Sequence, residues 1–185
     1  MMGAAALLVI WVVALGAMWF ARSQKMTSEK VLDYISANSL HSKSDVERMK
    51  MIEELGRRVN QLSFEERQKL RFEKSIRSAY EGMTDAERAR YLDLTLPGGM
   101  KQMMEAFNAM EPAKRKQMVN RAVNELQRAQ NEGTREELDK ALNDQNLKRI
   151  IDQGLKSYMT DANASAKLDI QPLMEQMQSI LQISR

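Results

Sequence analysis

Met1–Ala21, MMGAAALLVIWVVALGAMWFA, carries no charged side chain, and Arg22 follows it at once. A helix rises about 1.5 Å per residue, so about 20 apolar residues cross the roughly 30 Å hydrocarbon core of a bilayer. A helix also pairs its own backbone polar groups, as the membrane interior demands. Trp19 and Phe20 stand beside Arg22, where amphipathic rings favour the headgroup zone. The stretch predicts a single transmembrane helix, with the lipid bilayer as its partner. A cleaved secretory signal needs a basic n-region, a shorter apolar core and small residues at the cleavage site. Here no Lys or Arg precedes the run, and Met18, Trp19 and Phe20 are bulky. A retained anchor is therefore preferred to a cleaved signal or to a buried helix of a soluble core. The chain has no cysteine and begins Met-Met-Gly, which excludes lipoprotein and palmitoyl anchors and gives no myristoylation signal.

Positive residues favour the cytoplasmic side of a span. Arg22, Lys25 and Lys30 all follow this one, so the expected topology is N-terminus out with the body cytoplasmic rather than periplasmic. The body is rich in Ala, Glu, Lys, Leu, Arg, Gln and Met, all good helix formers. The expected class is all-α: an N-terminal single transmembrane helix followed by a multi-helix domain or extended helical array. Charge is graded along it. Residues 22–131 hold 21 basic and 16 acidic side chains, whereas 132–185 hold 7 and 9. The more basic part lies next to the membrane, where anionic headgroups attract cations.

Thr27–Ala37 reads as a short helix carrying Val31, Leu32 and Ile35, broken by the polar run 38–43. Ser44-x-x-Glu47 is a capping box, and Val46, Met49, Ile52, Leu55, Val59 and Leu62 follow at helical spacing. Three later starts resemble one another: Ser63 with Arg67, Thr84 with Arg88, and Glu111-Pro112 with Arg115. Each has an apolar residue, a capping position, an Arg four further on and an apolar residue three beyond that. Thr134-x-x-Glu137 keeps the cap but has Leu138 in place of the Arg. The spacing predicts helices over 64–81, 85–95, 98–109, 112–131 and 135–159, with Leu96-Pro97-Gly98-Gly99 as a turn. Residues 160–171 read as a loop or weak helix, and Pro172 opens a last helix. The expected segments are anchor 1–22, juxtamembrane helix and loop 23–43, helical domain 44–159, and loop plus C-terminal amphipathic helix 160–185.

No constellation for catalysis is visible, and no cofactor or metal is expected. His41 is the one histidine and has no cysteine to join it; it reads as a surface residue. Gly98-Gly99 lacks the GxxxxGK[ST] frame of a phosphate loop. Arg67, Arg71 and Lys74, with Lys114 and Arg115, form candidate patches for an acidic partner or anionic lipid headgroups. Interleaved glutamates and the absence of stacking aromatics disfavour nucleic acid. Met100, Met103, Met104, Phe107 and Met110 form a stripe that reads first as core. Leu173, Met174, Met177, Ile180 and Leu181 make the terminal helix a candidate for docking into a partner's groove, or for folding back on its own domain.

LSFEERQKL (62–70) and MTDAERARYL (83–92) resemble the LTxxQ-type helix starts of the Spy and CpxP group of periplasmic chaperones. Glu66 and Glu87 stand where that motif has Gln. The likeness covers about 20 residues and implies a small helical chaperone-like or stress-sensing protein facing the periplasm. That is the alternative. The leading expectation is a membrane-anchored, non-catalytic helical protein that binds other proteins, as a scaffold, adaptor or subunit of a membrane-associated assembly.

Overall fold

The computed structural model describes residues 25–40, 43–132 and 144–183, with side chains described up to 128 and from 144 to 177 in the last two segments. The predicted anchor Met1–Ala21, His41 and the Thr134 helix start lie outside these residues. The fold is all-α. Among the described residues there are eight helices, and none is long and apolar enough to cross a membrane. They are α1 (Ser28–Ala37), α2 (Asp45–Asn60), α3 (Phe64–Arg71), α4 (Lys74–Glu81), α5 (Asp85–Ala109), α6 (Pro112–Glu132), α7 (Gln145–Asp161) and α8 (Ala164–Ile183).

The helix starts follow the capping chemistry of the sequence. The Ser44 hydroxyl accepts from the Glu47 N–H, and the Glu47 carboxylate accepts from the Ser44 N–H. Thr84 and Glu87 repeat this box. Ser63 caps α3 through the Glu66 N–H, and Pro112 opens α6 at the first helical position, where its missing donor costs nothing.

Helix α5 is the spine. At 25 residues it is about 37 Å long. Helices α2 and α3 pack on it, as does α7. Helix α1 closes over α2, α3 and α4, while α8 lies along α6 and touches α5. Two apolar clusters result. The first gathers Val31, Ile52, Leu55, Val59, Leu62, Leu70 and Met83; the second holds Met104, Phe107, Val119, Ala162 and Ala166. Gly56 lets α2 close on α5, because a Cβ there would stand 3.0 Å from the Leu94 side chain.

The structure corrects several sequence expectations. The predicted helix 64–81 is two helices, broken at Phe72–Glu73. In a straight helix, Ile76 would point about 120° away from Leu70. The break re-aims α4, so that Ile76 and Tyr80 pack against the same cluster as Leu70. The predicted turn at 96–99 is instead the interior of α5, which runs through Pro97. Residues 164–171, expected as loop or weak helix, form the start of α8, with Pro172 inside the helix. Its first turn is fixed by Asn163, whose side-chain oxygen accepts from the Ala166 N–H. Ala166 is fully buried, so a small residue sits where α8 meets the second cluster. In α2 the apolar stripe begins later than expected, because Val46 is exposed. In α5 the methionine stripe divides, with Met104 buried and Met103 exposed.

Candidate interaction surfaces

The recurring arginine four residues after a helix cap has one structural use. It reaches back to the end of the preceding segment and donates to oxygens there. Arg88 donates to the Tyr80 and Glu81 carbonyls at the end of α4. Arg115 donates to the Asn108 and Met110 carbonyls at the end of α5. Arg67 reaches the Asn60 side chain at the end of α2 and continues to the Thr95 carbonyl and Gln102 side chain of α5. Arg48 is a fourth case that the sequence comparison missed, although it stands four residues after Ser44. It donates to the Leu40 and Gly82 carbonyls and pairs with both oxygens of Glu87.

Two of these joints are buried ion pairs. Arg48 and Glu87 meet at 2.7 Å, as do Arg115 and Asp169. Arg115 is only 4% exposed and also donates to the Ser165 hydroxyl. Beside it, Asn108 donates to the Asp161 carbonyl and accepts from the Asn163 N–H. The α5–α6 and α7–α8 turns are thus stapled together by polar side chains from both.

Arg67 and Asn60 meet α5 where it runs through a helix-breaking sequence. Pro97 removes a donor from the helix ladder. Asn60 donates to the Leu94 carbonyl at 2.8 Å, and Arg67 to the Thr95 carbonyl, bracing the weak segment from outside. Gly98 and Gly99 leave room for this, since a Cβ on either would stand 3.3 Å from Asn60 or Arg67. Burial pushes the neighbouring Tyr91 phenol up to about 12, partly offset by the Arg67 charge.

Glu66 and Glu87 both work as carboxylates. Glu66 accepts from the backbone N–H and hydroxyl of Ser28, each at 2.8 Å, and so ties the start of α1 to α3. Lys69, then the Ser28 groups, lower its pKa to about 2. Glu87 is lowered as well, first by Arg48.

The predicted basic patch therefore separates. Arg67 and Arg115 are committed inward, and Arg115 is not available to a partner. Arg71, Lys74 and Lys114 are exposed, with Arg71 and Lys74 on either side of the α3–α4 turn. Helical spacing could not foresee the inward set, because its acceptors lie on other helices. In the terminal helix, Leu173 packs against the second apolar cluster. Met174 and Met177 are half-buried, while the Ile180 and Leu181 side chains lie outside the described residues.

Large apolar side chains do remain outside. Leu155 and Met159, four residues apart on α7, share one exposed face; Leu168 on α8 and Met118 on α6 are also exposed. A cleft of about 250 Å³ lies between α5 and α7, lined by Asp93, Leu96, Pro97, Arg149, Asp152 and Lys156 among others. Its Arg149 and Asp93 pair with each other. Among the described residues no group of acidic or histidine side chains could hold a metal ion. No protein-family model, no curated protein and no solved structure matches the chain.

Proposed function

We propose that the protein is a single-pass membrane protein whose helical body binds other proteins at the membrane surface, as a scaffold, adaptor or subunit without chemistry of its own. Met1–Ala21 supplies the anchor, and the body faces the cytoplasm. The observation that carries the binding role is the Leu155–Met159 face of α7, large apolar side chains left outside on a body with its own packed clusters. Such exposed apolar surface marks contact sites more often when residues cluster than when they are scattered.

Site-specific photo-crosslinking in intact membranes tests this reading. A crosslinker at Leu155 or Met159 should give adducts of discrete mass with another protein, and one at exposed Gln117 on α6 should not. No adduct at either α7 position, or adducts only with the chain itself, would overturn the binding role.

The chaperone-like reading keeps one specific support. The two segments that resemble the LTxxQ starts do open helices, each with its Ser or Thr as the cap. A reporter after Arg185 separates the two. Alkaline phosphatase activity there supports the periplasmic reading, and cytoplasmic fluorescence excludes it.

A further inference from the structure

Phe72 is 77% exposed at the turn between α3 and α4. An aromatic side chain in that position is left in water by the fold itself, since Leu70 and Ile76 on either side turn inward. Its surroundings are cationic. Residues 68–78 hold Lys69, Arg71, Lys74 and Arg77 against a single acidic side chain, Glu73. The Arg71 guanidinium lies 6.0 Å from the Phe72 ring centre, while Lys69 is drawn to Glu66. Arg71, Lys74 and Arg77 are exposed, and Lys74 and Arg77 are one turn apart on α4. An apolar ring among cations matches the boundary of an anionic bilayer, where the ring enters the acyl edge and the cations meet phosphates.

The chain path puts this turn within reach of such a surface. Ser28, at the start of α1, is held on α3 by Glu66. Ser28 lies seven residues after Ala21, a span of at most about 25 Å when fully extended. From Glu66 to Phe72 is about 9 Å along the helix. We propose that the α3–α4 turn is a second membrane contact of the protein, with Phe72 inserted at the headgroup boundary of an anionic leaflet and Arg71, Lys74 and Arg77 on its phosphates. This rests on the reading of Met1–Ala21 as an anchor. It also redraws the basic patch, replacing the inward-facing Arg67 and Arg115 with cations that surround an exposed ring.

The absence of cysteine makes a single-label test clean. The full chain carrying Ser75→Cys and a nitroxide is reconstituted into vesicles of phosphatidylcholine, with and without phosphatidylserine. Collisions of the label with oxygen and with a water-soluble nickel chelate are read by electron paramagnetic resonance. With phosphatidylserine, the balance should shift from chelate towards oxygen. The shift should vanish in about 1 M salt, where the screening length is about 3 Å, and with Arg71→Glu plus Lys74→Glu. It should shrink with Phe72→Ser, whose circular dichroism should match the parent because the ring is exposed. A label at Gln117→Cys on α6 should stay chelate-accessible throughout. A chain that floats with the vesicles but shows the same balance with and without phosphatidylserine, or an unchanged shift in Phe72→Ser, overturns this contact alone. Failure to float with either vesicle overturns the anchor reading and this contact with it.

Discussion

Around α1–α4 the core is made of large side chains: Val31, Ile52, Leu55, Val59, Leu62, Leu70 and Met83. Around the α5–α6 and α7–α8 turns it is Met104, Phe107 and Val119 with two alanines. Each region also has a buried arginine–carboxylate pair, Arg48–Glu87 in the first and Arg115–Asp169 in the second. The difference lies in what surrounds the pair. In the first region the apolar cluster takes large side chains from α1, α2 and α3 independently of the arginine. In the second the alanines allow close approach but add little area, so the polar staple at Arg115 and Asn108 carries more of the joint. A buried pair contributes little net stability against a hydrophobic replacement, but removing one partner strands a charge. The second region should therefore be the more fragile to loss of its arginine.

The largest expected effect follows directly. Arg115→Ala should cost about 3–5 kcal/mol in chemical denaturation, since Asp169 is left buried and unpaired. Hydrogen exchange should show protection lost first in α6 and α8 and retained in α2. Equal loss in both regions would break the comparison. Ile52→Ala should cost roughly 2–5 kcal/mol through lost burial and a cavity, whereas Val119→Ala removes less apolar surface and should cost about 1–3 kcal/mol. The reverse order would mean that the second core is better packed than its alanines suggest. Thr84→Ala should cost about 1 kcal/mol by removing the cap of α5, read as a small shift of the urea midpoint at constant slope.

The smallest effect is a pH dependence of the first region. The folded pKa of Glu66 is about 2 against an ordinary value of 4.5, and that of Glu87 is also lowered. A lowered carboxylate contributes stability that is fully present above the unfolded value and is lost as pH falls through the folded one. The urea midpoint should therefore fall between about pH 4.5 and pH 2, and less in Glu66→Gln than in the parent. An identical acid profile in that variant would remove the Ser28–Glu66 tie from the account.

Helix starts were legible because their chemistry is local. Ser44, Ser63 and Thr84 cap their helices through groups three residues away, and that spacing is written in the sequence. The recurring arginine was legible as a pattern but not as a joint. Asp169 is 54 residues from Arg115, and a helical wheel cannot place it. Arg67 and Arg115 therefore read as surface cations. Arg48 stands four residues after Ser44 just as Arg88 does after Thr84, so the signal for a fourth joint was present. The Pro97-Gly98-Gly99 segment breaks helices on its own. Asn60 and Arg67, arriving from the α2–α3 joint, hydrogen-bond its carbonyls from outside, and their distance in sequence hides that contact. At Phe72–Glu73 the opposite holds, since neither residue is a breaker and the break comes from where α1 requires Ile76 and Tyr80 to point. The exposed Leu155–Met159 face could not be read from the sequence, because periodicity gives a face without saying whether a neighbour covers it.

The membrane-anchored body is the claim on which both functional readings depend, and alkaline extraction tests it most directly. Membranes carrying the full chain are washed with carbonate at high pH, in parallel with cells producing the chain without residues 1–25. The full chain should stay in the membrane pellet, while the shortened chain should appear in the soluble fraction with helical circular dichroism. Release of the full chain by carbonate, or a shortened chain that still pellets with the membrane, would contradict the account.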